Sequence, residues 1–285
     1  MSERRFGFVQ WEFAGRLGPD PGRYPVRRFA GDDVREVLVI GGIEGRRRAP
    51  RSRRGRRAQP AHGTEPPSVE VTRATVIDAT PMYEREAAES WLERAAAEDA
   101  DAVVAGALVV LNRAVAGHRV AAADPFVADA DPARALVTRV GYGLGDQVAD
   151  GDWESARVLA PAREGRSRVF VPQQRLAALL SGRDVALACE ELALRARRDL
   201  DAGRQREAAM QAHVALEAAV AELESWRGRG DMGARIDELA GHREATAAAA
   251  NAALEGGLDQ DAGATVAAAL GRIEAALRAR AAREG

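Results

Sequence analysis

Eight of the twelve residues from Arg46 to Arg57 are arginine, and none of the twelve is acidic. Such a run of positive charge can neutralise the phosphates of a nucleic acid or bind another acidic surface. Because no aromatic side chain is interleaved with the arginines, the run does not indicate base stacking. The arginine tract consists of Arg46, Arg47, Arg48, Arg51, Arg53, Arg54, Arg56 and Arg57.

The remainder of the chain is acidic. The net charge of the 285 residues is −2, so removing the eight charges of the tract leaves about −10 on the rest. All 41 basic residues are arginine and 62 residues are alanine, a bias that indicates a GC-rich bacterial genome. An arginine in this chain therefore does not by itself indicate a need for the forked geometry of guanidinium.

The single cysteine, Cys189, is the first candidate nucleophile. One cysteine excludes an intramolecular disulfide and a multi-cysteine zinc site, which fits a reducing compartment. A reactive thiol needs a nearby base or a helix N-terminus, whereas Glu190 and Glu191 beside it would raise its pKa. The apolar helical pattern around it predicts that Cys189 lies in the middle of a helix as a small buried residue.

Neither the histidines nor the glycines form a recognised motif. His62, His118, His213 and His242 lack the spacing of metal ligands, although His118 close to Asp124 could form a catalytic pair. Gly141, Gly143 and Gly145 follow the pattern G-x-G-x-G and not the dinucleotide pattern G-x-G-x-x-G. The sequence therefore predicts a turn or a helix end at these glycines, and it assigns no catalytic, cofactor or metal residue.

The first eighty residues carry the pattern of a small β unit. Val9, Trp11 and Phe13 alternate with polar residues, and residues 34–40 and 69–77 give two further strand signals. Residues 44–68 between them are rich in arginine and then proline, with too few apolar side chains to offset the entropy of ordering. We expect this segment to be a disordered loop and the flanking strands to join one sheet.

Helical signals dominate from residue 81 to 160, which we expect to pack on this sheet. Residues 84–97 and 101–116 have helical periodicity. Asp131-Pro132 is a typical helix start, and Gly141 would end that helix. A further short helix is predicted after Asp152, which would cap it. The longest apolar run, Ala102 to Leu111, has half the length that a membrane span needs. The N-terminus also lacks a signal-peptide core, so the sequence predicts a cytoplasmic protein without membrane attachment.

Residues 170–285 are almost wholly helical in pattern. Helices are predicted over 173–180, 184–202, 205–226, 236–254 and 262–280, with Gly203 as a stop signal. They should form an antiparallel bundle or repeat-like hairpins. Taken together, the patterns predict an α+β fold: a small N-terminal β unit interrupted by the arginine-rich loop, followed by a mainly helical body.

Small residues in this region have the spacing at which tetratricopeptide repeats place their helix contacts. Residues 190–220, and also 245–275, therefore resemble tetratricopeptide-like helical hairpins, which implies a protein-binding scaffold. The chain departs from the family pattern at Asp199 and Ala212, where the repeat has aromatic residues, and the hairpins are not in tandem at a 34-residue period. The matching residues are Ala196, Gly203, Ala208 and Ala215, and then Ala250, Gly257, Ala262 and Ala269.

Three functions follow as expectations. The first is a non-catalytic interaction or scaffold protein that acts through its C-terminal helices, with a protein partner or by self-association and without a cofactor. The alternative is a nucleic-acid-associated protein that binds phosphates through Arg46–Arg57. The second alternative is an enzyme whose site assembles from residues scattered in sequence.

Overall fold

The computed structural model describes residues 3–27, 31–43, 70–160, 172–257 and 260–282. The chain divides into two compact units, Met1–Glu164 and Gly165–Gly285. The first contains an antiparallel six-stranded sheet with the order β2-β3-β4-β1-β5-β6, so the expected α+β fold is confirmed. The strands are β1 (Arg5–Ala14), β2 (Gly22–Val26), β3 (Glu36–Ile43), β4 (Val71–Asp78), β5 (Ala135–Leu144) and β6 (Ser155–Val158).

Two helices cover one face of this sheet, α1 (Arg85–Ala95) and α2 (Ala100–Ala122). Alternation along β1 places Trp11 in this core, where it is fully buried. Leu111 of α2 also has no exposed surface. Both helices pack on the sheet through the apolar stripes that the helical periodicity indicated.

The opposite face is partly covered by the segment that follows β5. Val148 of this segment packs with Phe8 of β1, and the Gln10 side chain donates hydrogen bonds to Thr75 Oγ1 at 2.9 Å and to the Val148 carbonyl at 3.3 Å. The Glu12 carboxylate accepts hydrogen bonds from Arg139 at 2.7 Å and from Arg73 at 3.3 Å. These hydrogen bonds link side chains of β1, β4 and β5, so the half-buried charges on this face hold neighbouring strands together.

The predicted helix from Asp131 to Gly141 is wrong. Asp131 Oδ1 accepts a hydrogen bond from the Ala133 amide at 2.9 Å, but this cap begins a single 3-10 turn, Pro132–Arg134. The chain then continues as β5 and pairs with β1, because the β-branched residues of β5 fit a central strand. The short helix predicted after Asp152 is β6, so residues 81–160 supply two strands as well as two helices.

The segment that contains the arginine tract connects two neighbouring strands. Ile43 at the end of β3 is paired with Val71 at the start of β4. Residues 44–68 therefore interrupt a hairpin of the one sheet, as the sequence predicted, while the tract itself lies outside the described residues.

The second unit is helical. In it α5 is the central helix and packs against α4, α6, α7 and α8. The single helix predicted over 236–254 is divided at His242 into α6 and α7, after Gly241, a residue with low helix propensity. The helices are α3 (Pro172–Leu180), α4 (Ala188–Asp201), α5 (Gln205–Leu223), α6 (Met232–Gly241), α7 (Arg243–Leu254) and α8 (Gln260–Ala281).

The helices α4 and α5 form an antiparallel hairpin with an alanine-rich contact. Ala196, Ala208 and Ala215 have no exposed surface, so the two backbones approach closely. The turn places Gly203 at φ +73°, which favours glycine. In the α7–α8 connection the glycine with positive φ is Gly256, one residue before Gly257, the residue that matches the repeat spacing. Hairpins are present, and kinship with tetratricopeptide repeats stays a prediction.

Candidate functional site

The first unit has a cavity of about 660 Å³ at one end of the sheet. It lies between the β1–β2 connection, the C-terminal half of α2 and residues 124–134. His118 and Asp124, the pair that the sequence offered as catalytic, both line it. Phe126, with 90% of its surface exposed, stands on its wall. A cavity of this size falls in the range of ligand sites.

Two side chains of α2 hold the wall of the cavity in place. The buried Asn112 amide donates to the Ala130 carbonyl at 3.1 Å and accepts from the Ala130 amide at 2.7 Å. Two turns later Arg119 donates to the Val127 carbonyl at 2.6 Å and to Asp129 Oδ1 at 2.5 Å. The loop after α2 is therefore fixed by side chains on one flank of the helix.

The carboxylates that line the cavity have local structural partners. Asp124 Oδ1 accepts a hydrogen bond from the Phe126 amide at 2.9 Å, and Asp20 pairs with Arg16 at 2.8 Å. His118 contacts the backbone at Gly18, where a Cβ atom would lie 2.9 Å from the imidazole Cδ2. No hydrogen bond reaches this imidazole from the part of the chain that the structure describes. The cavity therefore brings His118 and Asp124 together without orienting the histidine as a base.

Cys189 is buried in the first turn of α4 rather than mid-helix as predicted. The Glu222 carboxylate accepts hydrogen bonds from the Ala188 amide at 3.0 Å and the Cys189 amide at 2.9 Å, and thus caps α4. Burial strongly raises the pKa of the Cys189 thiol, and the hydrogen bond to Glu222 acts in the same direction. The thiol is therefore protonated at neutral pH, and the prediction of a small buried residue is confirmed.

A network of charges links three helices of the second unit. Arg280 in the last turn of α8 is only 2% exposed, donates to Asp184 Oδ1 at 2.8 Å and stacks 4.7 Å from the centroid of Trp226. Arg175 of α3 donates to both carboxylate oxygens of Glu190 in α4, at 2.6 and 2.8 Å. The sequence pattern gave no sign of this network, because its members come from distant segments.

Gly141 and Gly143 lie within β5, so the predicted turn or helix end at these residues is wrong. A Cβ atom at Gly141 would lie 2.6 Å from Phe8 Cζ and 2.6 Å from the Ser155 carbonyl oxygen. The glycines therefore permit close packing on the sheet. They do not form a phosphate-binding loop between a strand and a helix.

The other predicted residues do not converge. His213 lies on α5 and His242 between α6 and α7, while His62 and the tract Arg46–Arg57 lie outside the described residues. Within the described ranges, the structure has no group of three or more histidine, cysteine or acidic side chains that could hold a metal ion. The chain returns to the described residues beside the cavity, because the Glu70 carbonyl accepts a hydrogen bond from the Gly15 amide at 2.7 Å, between the cavity residues Ala14 and Arg16.

The side of α2 that points away from the sheet forms an apolar surface, which we call the outer face of α2. Among the described helices, α2 alone is long and apolar enough to cross a membrane by length and composition, yet only 22% of its most apolar stretch is buried. Sequence reasoning treated this helix as core and did not identify its outer side. The outer face comprises Ala102, Ala105, Gly106, Val109, Arg113, Ala116, Gly117 and Val120, all exposed or half-buried.

Comparison with known protein families, with curated proteins and with solved structures gives no match for this chain.

Proposed function

We propose that this protein is a non-catalytic interaction protein and that it binds a protein partner through the outer face of α2. The observation that carries the proposal is a five-turn helix surface with one charged residue, Arg113, which the described residues of the first unit leave exposed or half-buried. Exposed apolar surface of this extent is a typical mark of an interaction site, because its hydration is unfavourable. A reducing compartment such as the cytoplasm suits the proposal, since Cys189 has no second cysteine to pair with.

Catalysis has weaker support. The cavity that contains His118 has the volume for a small ligand, but the carboxylates Asp124 and Asp20 are engaged in local hydrogen bonds or ion pairs. The one thiol of the chain is buried and protonated. A reaction would need a nucleophile or an oriented base, and these residues provide neither.

The sequence analysis predicted that the C-terminal helices bind the partner, whereas the present proposal assigns these helices the role of a scaffold. They pack their alanine and leucine side chains into their own core, and the exposed side of α4 carries charged pairs such as Arg195–Glu191 at 2.8 Å. Leu176 and Leu180 of α3 are exposed and offer a smaller apolar surface there. The first test therefore concerns α2, with α4 as the reference.

Site-specific photo-crosslinking in the native cell tests this proposal. With a photoreactive amino acid in place of Val109, we expect an adduct with a partner protein, because this position lies at the middle of the outer face. The same group in place of Leu194, an exposed residue of α4 (67%), is the control and should give no comparable adduct. Equal yields from both positions, or none from either, would contradict the proposal.

We further propose that the arginine tract binds a polyanion such as single-stranded RNA. Support comes from the concentration of eight positive charges in a connection whose two ends are held together by the Ile43–Val71 pairing. A segment with anchored ends can engage phosphates without rearranging the sheet. This activity is compatible with a protein partner on α2.

Salt dependence provides the test of this second activity. If about eight phosphates are neutralised, the logarithm of the binding constant for single-stranded RNA should fall against log salt with a slope near −6. Fluorescence anisotropy of labelled RNA at several salt concentrations measures it. A variant in which serine and glycine replace residues 46–57 at equal length keeps the β3–β4 connection, and it should not bind. Unchanged binding by this variant would show that the tract is not the site.

A further inference from the structure

A second cavity of the first unit lies between α1, α2 and the sheet, and we call it the α1–α2 cavity. It has a volume of about 230 Å³, which is room for roughly eight water-sized groups. Its apolar lining comes from both helices and from two central strands: Val9, Val76, Trp91, Val103, Ala107 and Val110. Since an apolar cavity of about 150 Å³ already accommodates benzene, a small molecule with a hydrocarbon body fits here.

The indole ring of Trp91 is a fixed wall of this cavity. A Cβ atom at Gly7 of β1 would lie 2.8 Å from both Cη2 and Cζ2 of Trp91, so the glycine allows the ring to pack on the strand. Trp91, Val103 and Val110 are half-buried, whereas Val9 on the sheet is buried. An apolar group in the cavity would therefore remove further hydrocarbon surface from water, which favours binding.

Two of the described lining residues are charged, and both are carboxylates. Glu36 begins β3 and Asp78 ends β4, and the two residues are paired directly across these strands. Residues in this relation have their Cβ atoms about 5 Å apart, and like charges there destabilise a sheet. Asp78 Oδ1 accepts a hydrogen bond from the Thr80 amide at 2.8 Å, but within the described ranges no arginine pairs with either carboxylate. The pair therefore favours a cation that these parts of the chain do not supply.

Gly106 of α2 keeps one side of the cavity open. It is an exposed residue of the lining, and a Cβ atom there would meet no atom within 4 Å. Glycine is unfavourable in a helix interior, and packing among the described residues does not require it at this position. A larger side chain at position 106 would extend into the opening, so the glycine favours access to the cavity at the expense of helix stability.

We propose that the α1–α2 cavity binds a small organic cation, a primary amine with an apolar body and about ten non-hydrogen atoms in all. The body would lie among Trp91, Val103 and Val110, and the ammonium group would donate hydrogen bonds to the Glu36 and Asp78 carboxylates. The ammonium charge would also offset the repulsion between these carboxylates. This inference goes beyond the proposed function and does not depend on a partner on the outer face of α2.

Isothermal titration calorimetry of the full chain with three probes of similar size tests the preference for a cation. Phenethylamine is positively charged at neutral pH, phenethyl alcohol is neutral and phenylacetate is negatively charged. We expect the amine to bind with a dissociation constant of about 1 mM or lower, the alcohol to bind at least about 5-fold more weakly, and the anion not to bind measurably. Equal affinity for the amine and the alcohol would overturn the inference. The same holds if the amine shows no saturable binding up to about ten times the expected dissociation constant.

Glu36→Gln and Asp78→Asn test the role of the carboxylates, because each substitution removes a charge and keeps the shape of the side chain. We expect each variant to bind phenethylamine about 5-fold more weakly, and the double variant to bind it no better than phenethyl alcohol. Since like-charge repulsion is also removed, these variants should be at least as stable as the wild type, which separates lost binding from lost folding. Glu89→Gln, at an exposed carboxylate of α1 outside the cavity, is the control. Wild-type affinity in the double variant would contradict the proposed ammonium site.

Gly106→Leu tests whether the ligand occupies this cavity, because the leucine side chain would fill its opening. We expect the variant to lose at least about 10-fold in affinity for phenethylamine. It should remain as stable as the wild type, since leucine favours a helix. The matched control is Gly117→Leu on the same helix, where a Cβ atom would also meet no atom within 4 Å but which does not line the cavity. Unchanged affinity in Gly106→Leu would show that the amine binds elsewhere, and the inference would then be wrong.

Discussion

Replacing Arg280 by alanine is expected to lower the free energy of unfolding of the second unit by about 3–5 kcal/mol. The Arg280 guanidinium is buried, pairs with Asp184 and lies over the Trp226 ring. Its removal leaves the Asp184 carboxylate, which is 13% exposed, with Arg175 as its one cationic partner among the described residues, and it also removes packing from Trp226. Chemical denaturation of the full chain, followed by the circular dichroism of the helices, measures this loss.

The control is Arg278→Ala, in the same last turn of α8 but exposed to solvent. Because a surface charge contributes little, this variant should stay within about 0.5 kcal/mol of the wild type. If both variants lost the same stability, the effect of Arg280 would come from helix propensity or from the charge of the turn. The proposed role of the buried ion pair would then be wrong.

The decrease in the free energy of unfolding caused by Arg280→Ala should also depend on pH. Burial tends to raise the pKa of Asp184, but the hydrogen bonds from Arg280 and Arg175 outweigh it and hold the pKa below its ordinary value of 3.8. A carboxyl with a depressed pKa in the folded state contributes stability above its unfolded pKa, and this contribution is lost as the pH falls through the folded value. The difference in the free energy of unfolding between wild type and Arg280→Ala should therefore become smaller below about pH 3.8.

Local sequence patterns identified the elements whose signals lie within one segment. The alternation of Val9, Trp11 and Phe13 predicted β1, and the apolar spacing of residues 101–116 predicted most of α2. Both patterns work because a buried face must repeat with the period of its own element. The sheet that contains residues 44–68 as an internal connection was predictable too, since strand signals flank the segment on both sides.

The error at β5 shows where local signals fail. Asp131-Pro132 forms the cap that the sequence predicted, but a cap fixes only one turn of backbone. The conformation of the following residues depends on pairing with β1, which lies more than 120 residues earlier in the chain. Similarly, the Arg280 network joins residues 96 positions apart, so no local spacing could indicate it.

The candidate surfaces were only partly visible in the sequence. His118 and Asp124 are six residues apart, so a pattern could place them together, and they do share one cavity. The outer face of α2 was missed because the helix was interpreted as core and its ten-residue apolar run was compared only with the length of a membrane span. The useful signal was that apolar residues lie on the outer side of α2 as well as on the side that packs on the sheet, which exceeds what one sheet can cover.

The glycines of β5 allow a second large effect to be predicted. Gly141→Ala is expected to destabilise the first unit by about 3 kcal/mol, because the added Cβ would overpack the sheet. It would lie 2.6 Å from Phe8 Cζ and 2.6 Å from the Ser155 carbonyl, and a backbone group of β6 cannot move aside as a flexible side chain can. Thermal or urea denaturation gives the stability, and hydrogen exchange of residues 145–158 should show which segment loosens.

Gly41→Ala provides the matched control for this substitution. Gly41 lies in β3 of the same sheet and on the same face, but a Cβ atom there would meet nothing within 4 Å. Since alanine restricts the unfolded chain more than glycine, this variant should be neutral or more stable by up to about 1 kcal/mol. The two substitutions add the same methyl group to strands of one sheet, so opposite signs would assign the loss of stability to the contacts of residue 141 with Phe8 and Ser155. If Gly141→Ala were as harmless as Gly41→Ala, the close packing of β6 and Phe8 over Gly141 would not exist in solution, and the glycine motif would need another explanation.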